Sequence, residues 1–270
     1  MSRVYGGSAL NLGYTSHDSR STVERNRKAF VTAVTSNSGL ENRIPHRVVR
    51  APWPLVTGRQ IHSDVIHSVS AAPGHSLAGD GLITRTPGIL LAVLTADCLP
   101  IIVADARQRA VGVFHAGWRG TLKRIVEKGV GEMRRQFGSR PADLKAAIGP
   151  GIRGCCYQVG TEVKEAFEAR FDYGHSLFRE TKESDEVRQK YPLLFMSARP
   201  PGHSELPKKI FLDLAEANRR QLMDAGLSAK NIFDLDQCTS CRQDLFFSHR
   251  AEKGKTGRMM AAVGIRAREV

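Results

Sequence analysis

The sequence has no apolar run approaching the length needed to cross a bilayer. Its start, Met1-Ser2-Arg3-Val4-Tyr5-Gly6-Gly7, lacks the apolar stretch of a secretory leader. Cysteine is scarce: there are five, at positions 98, 155, 156, 238 and 241, and two are adjacent. An odd, unevenly spaced set is a poor disulfide framework and implies a reducing, cytoplasmic setting. In such a setting cysteines serve as metal ligands, catalytic groups or buried apolar side chains. The nine histidines include no His-x-His pair, which argues against a blue-copper site with a trinuclear cluster. No internal repeat, low-complexity tract or composition break marks a linker.

Acidic charge is also in deficit, leaving a formal net charge of +13. The Lys and Arg residues are scattered, with no RNP-type aromatic motif, arginine-rich tail or zinc-finger spacing. The charge therefore reads as a basic, soluble surface rather than a nucleic-acid module. A narrower alternative is steering of a small anion such as phosphate into a pocket.

With 270 residues, 41% of them hydrophobic and 25% charged, the chain can build a real core in one large domain or two small ones. Ser21-Thr22-Val23-Glu24 has capping-box form and precedes a sparse helical stripe of Val23, Phe30 and Val34. Residues 47–69 read as short strands around His62, interrupted at Pro52 and Pro54. Residues 89–115 give about three strands in quick succession. A helix is expected over residues 121–137, where Leu122, Ile125, Val126, Val130, Met133 and Phe137 keep helical spacing until Gly138. Residues 145–148 form a strand and 163–171 a helix. Residues 172–209, polar and carrying Pro192, Pro200, Pro201 and Pro207, read as a long excursion. A helix to about Ala225 then stops at Gly226, and strands follow at 232–235 and 259–265. Mixed strands and helices with hairpin-like neighbours argue for an α+β fold.

Three residues carry the chemistry. His62 lies in Gly-Arg-Gln-Ile-His-Ser-Asp, Cys98 in Leu-Thr-Ala-Asp-Cys-Leu-Pro-Ile, and His115 in Val-Phe-His-Ala-Gly-Trp-Arg-Gly, each expected at the end of an apolar run. One thiolate and two imidazoles are three of the four ligands a tetrahedral zinc takes, leaving one position for water or substrate. Ligand type favours zinc over magnesium or calcium and does not exclude copper. Asp97 is read either as a group that orients a ligand or accepts a proton, or as a turn-forming aspartate. Arg119, near a helix start, is a candidate phosphate ligand, with a surface salt bridge as the alternative. Arg59, Arg250 and Arg258 are further candidates, and Asn11 is read as a ribose or purine contact or a turn residue. Cys155, Cys156, Cys238 and Cys241 read as packing residues, with Cys155 or Cys156 lining the pocket as the alternative.

These motifs, together with Ile148-Gly149-Pro150-Gly151-Ile152, Cys155-Cys156-Tyr157, Cys238-Thr239-Ser240-Cys241, Phe246-Phe247-Ser248-His249-Arg250 and Thr256-Gly257-Arg258-Met259, resemble the bacterial laccase-domain proteins. Asn11-Leu12-Gly13 and Asn26-Arg27 also match. That family, long labelled multicopper polyphenol oxidoreductases, is better described as zinc-dependent purine nucleoside phosphorylases. Segment 172–209 is longer and richer in proline than is usual for the family, and His249 stands where tyrosine is commoner. The resemblance implies a single domain over 1–270, a layered α/β/β/α sandwich similar to the catalytic domain of cytotoxic necrotizing factor toxins. It also implies His62, Cys98 and His115 as zinc ligands, and phosphorolysis of adenosine, inosine and guanosine. Cleavage of methylthioadenosine and deamination of adenosine complete the implied activities. The rivals are a copper-dependent polyphenol oxidase, a Cys–His hydrolase with Cys98 as nucleophile, and a nucleic-acid-binding module with a structural zinc.

Overall fold

Ser19 sets the start of the first helix. Its hydroxyl accepts the Thr22 amide at 3.2 Å, so α1 runs Arg20–Ser36. The expected box at Ser21 lies inside the first turn, because Ser19 is the residue positioned to cap the third helical amide. On the inner side of α1 the buried Asn26 donates to the Asn11 carbonyl at 2.9 Å, and Arg27 donates to that of Leu12 at 2.8 Å.

The computed structural model describes residues 10–36, 53–182 and 208–267. In chain order the strands after α1 are β1 (Leu55–Thr57), β2 (Ile66–Ser68), β3 (Gly81–Thr84), β4 (Leu90–Thr95), β5 (Leu99–Asp105) and β6 (Ala110–Ala116). Next come α2 (Trp118–Leu122), α3 (Ile125–Phe137), β7 (Lys145–Ile148), β8 (Gln158–Val159) and α4 (Thr161–Arg170). The chain finishes with β9 (Phe178–Lys182), β10 (Lys208–Leu212), α5 (Leu214–Asp224), β11 (Ile232–Asp234) and β12 (Met259–Gly264). These mixed elements make an α+β fold. They divide into two compact units, Met1–Arg153 with Leu214–Val270, and Gly154–Asp213.

The larger unit holds a three-stranded sheet ordered β1-β4-β12 and a six-stranded sheet ordered β11-β7-β5-β6-β3-β2. Val56, Leu91 and Val93 from the first sheet pack with Leu82 and Val113 from the second, in a cluster completed by Val69 and Ile89. β6 is buried along its whole length, so both of its faces are covered. Alternation sends Val113 toward the other sheet and Phe114 toward α3. Phe114 fits because three glycines stand around it: a Cβ at Gly81, Gly112 or Gly129 would approach its ring to 2.9, 2.9 or 2.4 Å.

The single helix expected over residues 121–137 is two helices. Arg124 takes a left-handed φ of 64° between α2 and α3. α2 is held from the side by α5: Asn218 donates to the Thr121 hydroxyl at 3.0 Å and Gln221 to the Thr121 carbonyl at 2.7 Å. In the smaller unit β8, β10 and β9 form an antiparallel sheet. The expected excursion over 172–209 is partly regular, since β9 and β10 pair from Lys182↔Lys208 inward. Residues 183–207, with all four prolines named for it, lie outside the described residues, as do residues 47–52 with Pro52.

The glycine beneath Phe114 sets two effects against each other. Gly129→Ala gains about 1 kcal/mol of helix propensity, but its Cβ meets a buried ring at 2.4 Å, and overpacking of that kind costs about 1–3 kcal/mol. We expect the variant to unfold at lower urea concentration with an unchanged slope; a raised midpoint would contradict the packing.

Candidate metal centre

Two chain crossings build the site. β1 and β4 are parallel neighbours in the three-stranded sheet, so both leave it at the same end. The exit of β1 carries His62 on its way to β2, and the exit of β4 carries Cys98 just before β5. β5 and β6 are antiparallel, with Leu99 opposite Ala116 and Pro100 opposite His115, so the end of β6 arrives where β5 begins. Topology alone brings His62, Cys98 and His115 to one place. His62 is thus in a turn between strands, not at a strand end as expected, with a left-handed φ of 55°.

The ligand atoms of the three residues lie within 4.8 Å of one another, and Cys98 Sγ is 4.0 Å from His62 Nε2. In a tetrahedral zinc site, bonds of about 2.0–2.3 Å put ligand atoms roughly 3.3–3.6 Å apart. Closing that difference needs shifts of about 1 Å or less, so these residues fit a metal ion. The imidazole rings of His62 and His115 meet edge to face at 5.0 Å. Gly117 leaves the room: a Cβ there would stand 2.9 Å from Cys98 Sγ and 3.2 Å from the His62 ring.

A residue missed in the sequence organises this site. Asp80, only 1% exposed, accepts from the backbone amides of Ile61 and His62 at 3.1 Å each and of Ser63 at 2.6 Å. It also accepts from the Ser63 hydroxyl at 2.7 Å and pairs with His115 Nδ1 at 2.8 Å. Burial opposes its charge, but these donors outweigh burial and hold its carboxyl well below the usual carboxylate range. Its trace in the sequence was Gly79-Asp80-Gly81, where each glycine admits a close neighbour. Gln60, also missed, presents its amide to β4 as a strand would: it accepts from Leu94 N at 2.7 Å and donates to Leu94 O at 2.8 Å.

Asp97 is buried at a left-handed φ of 90°. Its carboxylate accepts from the Thr239 hydroxyl at 2.7 Å, the Ser248 hydroxyl at 2.7 Å and the Arg250 amide at 2.6 Å. It ties residues 239–250 to the turn that carries Cys98. Arg250 is thereby anchored through its backbone, with an exposed side chain. Arg119 is exposed, and its guanidinium lies 4.2 Å over the Trp118 ring. Arg59 is exposed in the same segment as His62, bridged to Ala78.

Asn11 makes its hydrogen bonds within the protein. It is fully buried, its oxygen accepts from Gly13 N at 3.0 Å and Arg258 N at 2.9 Å, and its amide donates to Asp18 at 2.8 Å. It joins the residues before α1 to those before β12. Cys238 is buried, Cys156 partly buried, and Cys155 and Cys241 are exposed.

The sequence matches the family model described as multi-copper polyphenol oxidoreductase laccase over residues 2–266. It is 33% identical over 267 residues to the purine nucleoside phosphorylase YlmD of Bacillus subtilis (strain 168), covering 96% of this chain and 82% of that one. It is 36% identical over 184 residues to a protein named adenosine deaminase RL5, from an unknown prokaryotic organism, covering 68% of this chain and 61% of that one. The fold is similar to the crystal structure of the Bacillus licheniformis hypothetical protein YfiH. That match has a TM-score of 0.76 and 33% identity, covering 96% of this chain and 86% of that one.

Burial opposes ionisation of the Cys98 thiol, but His115 charge and hydrogen bonds from both imidazoles outweigh it and bring the thiol down to about 6. Burial likewise opposes protonation of His115, while Cys98 and Asp80 hold its pKa up to about 9. Without metal the pair is therefore thiolate and imidazolium between about pH 6 and 9, losing the thiolate below that window and the imidazolium above it. In metal-stripped protein, alkylation of Cys98 should rise with a midpoint near 6, and His115→Gln should move that midpoint upward. A wild-type midpoint at the ordinary thiol value, about 8.5, would contradict the geometry.

Proposed function

The chain belongs to the multi-copper polyphenol oxidoreductase laccase family, and from that premise we propose that it is a zinc-dependent purine nucleoside phosphorylase that also deaminates adenosine. The observation that carries the reading is the His62, Cys98 and His115 group, in a chain whose relatives bear those two activity names. Three protein ligands with a fourth position open is the catalytic pattern, whereas closed structural zinc sites use four. Thiolate with two imidazoles suits zinc, and among the described residues this is the only histidine-containing group able to hold a metal. That counts against a copper oxidase, which needs several histidine-rich copper sites.

When bound, zinc supplies Lewis acidity to the pocket. Phosphorolysis joins a phosphate oxygen to the ribose C1′ while the glycosidic electron pair leaves with the purine; deamination replaces the C6 amine of adenosine by the oxygen of water and releases ammonia. Arg119 holds the phosphate in this reading. Trp118 supports the guanidinium as a plane, and a planar fork matches two phosphate oxygens. Arg59 and Arg250, both exposed, supply further positive charge for the anion. Asp97, which accepts from Thr239, Ser248 and Arg250, serves in this reading to orient the Cys98 turn.

A second reading, a Cys–His hydrolase, draws on the lowered Cys98 pKa of about 6. Metal content separates the two, because a zinc-bound thiolate is poorly available as a nucleophile. The wider reading is of one cytoplasmic domain over 1–270 with a layered α/β/β/α sandwich. Supporting it, β6 in the larger unit is covered by α3 on one face and by the three-stranded sheet on the other. No described helix is long and apolar enough to cross a membrane.

Purified protein given adenosine should release adenine only with phosphate present, and inosine with or without it. Arg119→Lys should lose phosphate-dependent cleavage by about 2–4 kcal/mol of barrier, with deamination spared. Equal loss of both reactions at unchanged zinc content would remove Arg119 from phosphate binding.

A further inference from the structure

We propose that Asp80 is a positioning residue that sets both histidine ligands at once, and that metal affinity at the His62, Cys98 and His115 site depends on it. The proposal rests on reading those three residues as the metal site.

The two oxygens of Asp80 divide the work. Oδ1 accepts from His62 N and pairs with His115 Nδ1, while Oδ2 accepts from Ile61 N, Ser63 N and the Ser63 hydroxyl. The first consequence concerns His115. A carboxylate accepts hydrogen bonds and donates none, so Nδ1 must carry a proton, and in the neutral ring that ligates a metal Nε2 presents its lone pair. The backbone reinforces this, since His115 N donates to the Asp80 carbonyl at 2.7 Å.

The second consequence concerns His62. A histidine at φ 55° occupies a region few non-glycine residues adopt, and such a backbone persists only where the surroundings impose it. Here they do: three consecutive amides, from Ile61 to Ser63, converge on one carboxylate. The turn that aims His62 and the tautomer that aims His115 therefore share one buried side chain. Partners of this kind behind metal-binding histidines are typically worth about 10–100-fold in metal affinity.

Asp80→Asn is the informative change, because it is nearly isosteric and its amide group is a donor. Whichever way the amide turns, its NH₂ faces existing donors: the amides of Ile61 and Ser63 on one side, or the His62 amide and His115 Nδ1–H on the other. The relief on the His115 side is for the ring to switch to the Nε2–H tautomer, which cannot ligate through Nε2.

The test measures zinc affinity by competition with a chromophoric chelator, together with the histidine ¹⁵N shifts. We expect Asp80→Asn to bind zinc about 10–100-fold more weakly than wild type, and Ser63→Ala, which removes one donor to Asp80 and the acceptor of the Val65 amide, to weaken it several-fold less. In zinc-loaded wild type, His115 should carry its proton on Nδ1 and ligate through Nε2. Unchanged affinity in Asp80→Asn overturns the proposal, and so does ligation of wild-type His115 through Nδ1, a readout that stands even if the variant fails to fold. Full zinc stoichiometry in Cys98→Ala is a separate outcome, which overturns the metal reading itself.

Discussion

A carboxylate withdrawn from water must be surrounded by donors, and Asp80 meets that need with the groups that carry two of the three candidate ligands. Removing it would strand several buried donors, each costing about 1–3 kcal/mol when left unsatisfied. Asp97 plays a parallel part for Cys98, binding residues 239–250 to the turn that precedes the thiol. Both left-handed residues at the site, His62 and Asp97, belong to these two networks. Strain of this kind persists where neighbours over-determine the backbone, and here two buried aspartates do so.

Packing supports the same end of the sheets. β6 must be narrow where it meets α3, hence glycines at 81, 112 and 129 around Phe114, and open where it meets Cys98, hence Gly117. Phe114 and His115 are neighbours on opposite faces of one strand. The ring that locks β6 to its helix therefore also fixes the register that presents His115. Core and site are not separable along this strand.

Much of this was legible beforehand. The apolar runs around Cys98 and His115 are strands because they are continuous, rich in branched residues and buried on both faces. The grouping of His62, Cys98 and His115 was suggested by ligand chemistry, and the structure brings them together. What escaped detection depends on long-range pairing. Asp80 draws no attention in the sequence, and only strand order places it against His115. Asn11 reads as a ribose or purine contact or a turn residue, and only the folded chain shows Gly13, Asp18 and Arg258 closed around it. The break at Arg124 interrupts an unbroken helical stripe, because α5 grips Thr121 from a distant part of the chain. Periodicity reports faces of elements, not which remote side chain will claim a backbone carbonyl.

The family description speaks of several coppers, whereas the chemistry of this chain centres on one thiolate and two imidazoles. The measurement that decides most directly is X-ray absorption at the metal edge of the purified protein. The account predicts a zinc edge, with one sulfur at about 2.3 Å and two imidazole nitrogens at about 2.0–2.1 Å, completed by a further light atom. A copper edge, or a zinc shell without sulfur, would contradict it.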